Sequence, residues 1–222
     1  MIQVRVWDWP TRIFHWALAS FILALIITGN VGGNAMVWHF RCGYGVLSLL
    51  LFRLLWGFVG GHWSRWRQLT CTPSALRQYI AGTQPQTRFL GHNPLGSLSI
   101  IAMLALLLLQ ASTGLLSDDE IANAGPLTVW VSERVVSITT YWHKEIGKAL
   151  VLLLVATHLL AIGWHFFKKQ ENLTRAMLLG DKSSEVLAPS SQEGVGQWLK
   201  ALVCLGISSG LIYLLITAVP SP

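Results

Sequence analysis

Apolar residues in this chain gather into five long runs, at about 14–30, 38–60, 96–116, 145–167 and 198–219, separated by short polar segments. A helix that crosses a bilayer needs roughly 20 mostly apolar residues, and each run is long enough. Pro10 and Thr11 open the first helix, and Gly29, Gly32 and Gly33 end it. The second opens near Trp38 and His39 and stops at "WGFVGGH". Within the loop 61–95, "TPSALRQYIAG" has a Thr-Pro-Ser start and a Gly stop, the signature of a short surface helix. "GHNPLG" leads into the third run. Residues 117–142 carry scattered apolar positions and are read as holding a short helix that lies on the membrane. Residues 170–197, with "DKSSEVLAPSSQEG", read as a mobile polar linker. No internal repeat is visible.

Composition strengthens this reading. Only 12% of the 222 residues are charged and 53% are hydrophobic, against about 25% charged in a soluble domain. The mean hydropathy is positive. The longest loops, about 35 residues, leave no room for a large soluble domain. The expected fold class is an all-α membrane protein, one transmembrane bundle of about five helices. The opening Trp-Asp-Trp-Pro-Thr-Arg is too aromatic and acidic for a signal-peptide n-region, so the first helix is read as retained. Cys42, Cys71 and Cys204 form no C-x-x-C pair and no haem-attachment motif. A disulfide framework and covalent c-type haem are disfavoured.

The net charge of +6 is read as topology rather than nucleic-acid binding. With the N-terminus in the cytoplasm, Arg5, Arg12, Arg65, Arg67, Arg77, Arg88, Lys168, Lys169, Arg175, Lys182 and Lys200 fall inside. Arg41, Arg134, Lys144 and Lys148 fall outside, together with Asp118, Asp119, Glu120 and Glu133. Eleven basic residues against four satisfy the positive-inside rule. Five spans then put the C-terminus outside.

Ionisable side chains within spans are costly and usually functional. His15, His39, His143 and His158 lie in or at the lip of spans. His15 and His158 share the inner level of this topology, and His39 and His143 the outer. His143 and His158 are fifteen residues apart on one helix, roughly 22 Å at ~1.5 Å per residue, and about 60° apart around it. Two bis-imidazole sites stacked across the membrane follow, as two b-type haems require in a bundle core. Gly43, Gly45 and Gly147 would let a flat macrocycle approach the backbone; close helix packing explains them equally well. His165, seven residues beyond His158, either replaces it as ligand or sits at the inner lip beside Lys168 and Lys169. A zinc site is the competing metal reading, but it needs three or four ligands at one level.

These residues resemble the bacterial cytochrome b561 and nickel–iron hydrogenase b-type cytochrome group. "RVWDWPTRIFHW" is similar to the start of that group's first helix. "HFRCGYGVLSLLLFR" is similar to its second, with an Arg fourteen residues after the His. "GHNPLG" and "ENLTRAMLLG" resemble its segments before helix 3 and after helix 4. The resemblance covers about residues 4–180. It implies a four-helix di-haem core, residues 1–180; a flexible inner linker, 181–197, and an additional C-terminal transmembrane helix, 198–222, read from composition and run length, lie outside that core. It implies two non-covalent haem b groups, one held by His15 and His158, the other by His39 and His143. In that group the helix 4 pair is spaced by fourteen residues; here it is fifteen, and a π-bulge or looser helix start would absorb the extra residue.

Bis-histidine iron has no open position, which favours outer-sphere electron transfer over oxygen activation. The expected function is electron transfer across the bacterial inner membrane, between a quinone pool (ubiquinone or menaquinone) and a periplasmic partner such as a c-type cytochrome or hydrogenase-like enzyme. Arg12, Arg53 and His165, with Trp16 and His92, are candidates for contacts to haem propionates or quinone at the inner face. Arg53 reads equally well as a snorkelling helix-end residue. Arg41 is a candidate partner for an outer propionate, and the outer acidic segment for a basic docking patch. A superoxide:quinone oxidoreductase of the same fold and a non-redox transporter or assembly protein are the alternatives. A homodimer is left open.

Overall fold

A computed structural model of the chain describes residues 2–83, 90–119, 121 and 123–218. Arg88 and Glu120, counted in the charge pattern, lie outside the described residues. In chain order the elements are β1 (Ile2–Arg5), α1 (Trp9–Val31), α2 (Met36–Val59), α3 (Pro73–Ile80), α4 (Pro94–Leu115), α5 (Glu133–Tyr141), α6 (Lys148–Lys168), α7 (Leu173–Leu179), β2 (Asp181–Ser184) and α8 (Val195–Thr217). Five stretches are long and apolar enough to cross a membrane: Trp9–Val31, Gly33–Val59, Pro94–Leu115, Glu133–Lys168 and Val195–Thr217. The chain is an all-α multi-pass membrane protein. Leu153, Leu159, Leu160 and Phe167 of α6 are exposed, as lipid-facing positions are where the surrounding solvent is hydrocarbon.

The fourth span begins at Glu133 rather than near 145. A π-helical turn, Trp142–Gly147, joins α5 to α6 without a break. The short helix expected on the membrane surface is therefore the first turns of this span. Its sequence, "ERVVSITTY", mixes Ser, Thr and Arg with apolar residues, so its periodicity is weak.

Helix ends follow local chemistry. Asp8 is fully buried, and its carboxylate caps α1 by accepting from the Thr11 N–H at 2.9 Å. The same carboxylate accepts from Trp56 Nε1, Gly61 N and Ser64 Oγ. It ties the start of α1 to the end of α2. Thr72 caps α3 by accepting from Ala75 N, with Pro73 at the first helical position, as the sequence signature requires. Asn172 caps α7, and Gly180, at φ 92°, ends it in a conformation that favours glycine.

The segment 181–197, expected as a flexible linker, is tied at several points. β2 pairs antiparallel with β1, Ile2 opposite Ser184 and Arg5 opposite Asp181. Arg5 bridges Asp181 at 2.6 Å and Glu193 at 2.7 Å. Ser191 donates its N–H to Arg5 O and its hydroxyl to Val6 O. Trp63 Nε1 donates to Pro189 O. A Ser-rich composition alone misses this order, because the partner strand lies almost the whole chain away.

The chain forms two compact units. One comprises Met1–His15, Arg53–Ala102 and Ala156–Cys204, and in it Val4, Val6, Trp7 and Ala176 make a buried core with Trp63, Met177 and Ala188 packed against it. The other comprises Trp16–Phe52, Met103–Val155 and Leu205–Pro222. Leu47, Leu115 and Ile212 form its core, bordered by Tyr44, Leu108 and Leu127.

Candidate functional site

Two pairs of histidines face each other, one in each unit. In the first unit, His15 of α1 and His158 of α6 have ring centroids 6.4 Å apart with planes at 50°. In the second, His39 of α2 and His143 of the π turn are 6.1 Å apart with planes at 89°. All four rings are half-buried. Two metal–nitrogen bonds of ~2.0 Å plus the two ring radii add to roughly 6 Å between centroids. Each pair thus has the separation of two imidazoles sharing one metal ion. Among the described residues, no three or more His, Cys, Asp or Glu side chains gather as a metal cluster, so the geometry is two plus two, as an axial haem pair needs.

The second pair is oriented from behind. His39 Nδ1 lies 3.1 Å from Leu25 O and 3.3 Å from Thr28 Oγ1. His143 Nδ1 lies 2.9 Å from Gln110 O and 3.5 Å from Thr113 Oγ1. A carbonyl only accepts, so Nδ1 carries the proton in both rings and Nε2 keeps its lone pair. This is the arrangement that fixes tautomer and ring orientation in metal-ligating histidines. Two glycines seat the rings. A Cβ on Gly29 would stand 3.1 Å from the His39 ring, and one on Gly114 2.8 Å from the His143 ring. The fifteen-residue spacing is accommodated where it arises, since His143 lies in the π turn.

Residues 6–180 match the family model described as prokaryotic cytochrome b561. The chain belongs to the prokaryotic cytochrome b561 family. It is similar to the probable Ni/Fe-hydrogenase B-type cytochrome subunit of Rhizobium leguminosarum bv. viciae, 24% identical over 222 residues, which covers 81% of this chain and 89% of the relative. The relative of the same name from Azotobacter vinelandii is 29% identical over 126 residues, 44% of this chain and 51% of that one. The probable Ni/Fe-hydrogenase 1 B-type cytochrome subunit of Escherichia coli K12 is 25% identical over 142 residues, 51% and 60% of the two chains. The match thus spans about half the length of the Azotobacter relative. No solved structure matches the chain. As a member of this family the protein is a membrane b-type cytochrome, and haem b is its implied cofactor.

The other expected cofactor contacts divide. Arg12 is buried, stacked 3.9 Å over Trp9, donating to Leu178 O at 2.6 Å and paired with Glu193 at 3.4 Å. Its charge is largely met from within the chain. Arg53 is also buried and lies 4.5 Å over Trp66, which argues against snorkelling to water; its Nη1 is buried without a hydrogen-bond partner among the described residues. His165 Nδ1 is held by Glu171 at 3.0 Å, and Lys182 holds the other oxygen of Glu171 at 2.8 Å. Burial alone would raise the Glu171 pKa; Lys182 and His165 outweigh it and keep it below the usual carboxylate value. Arg41 is exposed, 5.0 Å over the Trp38 ring.

His92 stacks on Trp7 at 4.5 Å, and its Nδ1 is buried without a partner among the described residues. Burial, then the charges of Arg53 and Lys182, push its pKa down to about 3. Of the glycines, Gly45 takes Phe21 and Gly147 takes Gln110 and Trp142, which is helix packing; a Cβ on Gly43 would meet only open space among the described residues. Asp119, in the acidic segment after α4, already accepts from Ile121 N, Asn123 N and Asn123 Nδ2, so it folds its own loop. Sequence reasoning missed Gln110, Thr28, Gly29 and Gly114. A glutamine directly after the apolar run Ala102–Leu109 of α4 was the available signal for the first.

Proposed function

We propose that this cytochrome carries electrons across the bacterial inner membrane between a quinone pool, ubiquinone or menaquinone, and a periplasmic redox partner, a c-type cytochrome or a hydrogenase-like enzyme. In this reading His15 and His158 hold one haem b and His39 and His143 a second. The observation that carries it is the meeting of four intramembrane histidines as two pairs of rings 6.4 and 6.1 Å apart. Haem b supplies reversible one-electron chemistry when bound. The protein's part would be to hold each haem between two imidazoles, His15 with His158 and His39 with His143, which favours outer-sphere transfer. His39 and His143 do this with Nδ1–H held by Leu25 O and Gln110 O, so their rings need no reorganisation when charge changes. Arg53, His92 and Arg12 each have a buried nitrogen without a hydrogen-bond partner among the described residues, and we assign them to a propionate or quinone oxygen; His165 is held by Glu171. The N-terminus lies in the cytoplasm and the C-terminus in the periplasm, from the distribution of basic residues. The similarity to hydrogenase cytochrome subunits supports a partner of that class.

The experiment is haem analysis of purified His39→Ala and His158→Ala proteins. Each should retain about half of the wild-type haem b, with a different low-spin ferric signal lost in each. Unchanged haem content in either variant would refute that residue's assignment.

A further inference from the structure

The second histidine pair depends on a helix that is out of register. A π turn accommodates one extra residue without rotating the remainder of the helix, but it interrupts the i→i−4 ladder. Carbonyls in such a turn need donors from elsewhere. The carbonyl of His143 finds one in Gln110 on α4, whose Nε2 donates to it at 2.9 Å. The backbone carbonyl of the same Gln110 accepts from His143 Nδ1 at 2.9 Å. One residue thus grips both the main chain and the ring of His143.

Gln110 makes these bonds at a cost. Its Oε1 is buried with no partner among the described residues, as is Trp142 Nε1; both border Gly147, where a Cβ would overlap the glutamine. A leucine of similar volume would remove that unpartnered oxygen, so the retained amide answers to something other than packing.

We infer that Gln110 is the positioning residue for His143: its amide holds open the π turn that absorbs the fifteenth residue, and so aims the His143 ring at its site. This rests on the reading of His39 and His143 as an axial pair. Two requirements follow. Removing the amide must disturb the second haem and spare the first. Removing the extra residue must make the amide dispensable.

The test uses the full-length holoprotein as wild type, Gln110→Leu, a deletion of Lys144, the two changes combined, and His143→Ala. The readouts are haem b per chain and the two low-spin ferric electron paramagnetic resonance signals, whose anisotropy follows the angle between ligand planes. Gln110→Leu should shift or lose the signal that His143→Ala abolishes, with loss of up to about half the haem, and leave the other unchanged. Deleting Lys144, an exposed residue of the turn, should restore that signal in the Gln110→Leu background. Wild-type signals in Gln110→Leu would overturn the inference, as would a double variant no better than Gln110→Leu. If Gln110→Leu loses both signals, rescue by the deletion still supports the role and failure to rescue refutes it. Full haem content in His143→Ala would instead refute the axial pair, and is read separately.

Discussion

His39 and His143 each give Nδ1–H to a helix carbonyl and each rest against a glycine. A methyl group on Gly114 would stand 2.8 Å from the His143 ring, closer than side chains pack, and the ring must turn. Gly114→Ala should therefore displace one ferric low-spin signal while the His15–His158 signal stays, a result visible by electron paramagnetic resonance. Asp8 makes a second residue-scale case. Asp8→Ala removes the acceptor of Thr11 N and Gly61 N in a buried site, at about 1–3 kcal/mol for each unsatisfied group. A fall of several degrees in thermal midpoint in detergent is expected; an unchanged midpoint would show the carboxylate is not needed. His92 supplies a pH dependence. Its folded pKa of about 3 lies below the ordinary 6.5, so the unfolded chain takes up a proton first. Stability present above 6.5 is lost as pH falls toward 3. His92→Gln should flatten thermal stability measured across that interval relative to wild type; identical pH profiles would contradict the assignment.

At the scale of elements, the π turn and the β-ribbon show what the sequence carried and what it hid. The histidines were legible because an imidazole inside an apolar run is costly, and their helix positions translate directly into depth. The π turn was visible as a spacing one residue too long, which named the strain but not the residue that relieves it. Gln110 was hidden because its role depends on a partner 33 residues away. The ribbon was hidden more deeply. "DKSS" has no strand propensity of its own, and it is ordered by pairing with Ile2–Arg5 and by the Arg5–Asp181 and Arg5–Glu193 bridges. Hydrogen exchange tests this element. Amides of β1 and β2 that pair should be protected together, and Arg5→Ala should release both; exchange at the rate of a free coil in wild type would restore the flexible linker.

At the scale of the whole molecule, the five spans were legible from run length alone, except at the start of the fourth, where Ser, Thr and Arg blur the apolar pattern. The family follows from residues 6–180; the direction across the membrane rests on the basic residues. Cys71 is exposed in the loop between α2 and α4, so a membrane-impermeant maleimide should label it in inside-out vesicles and not in intact spheroplasts. The reverse pattern would invert the topology. The central claim is that each chain holds two bis-histidine haems. A dithionite-reduced minus oxidised spectrum of the purified protein, combined with haem extraction and protein quantification, tests it most directly. The account predicts a b-type α band and two haem b per chain, halved by His15→Ala or by His39→Ala. One haem per chain, or no b-type band, would contradict it.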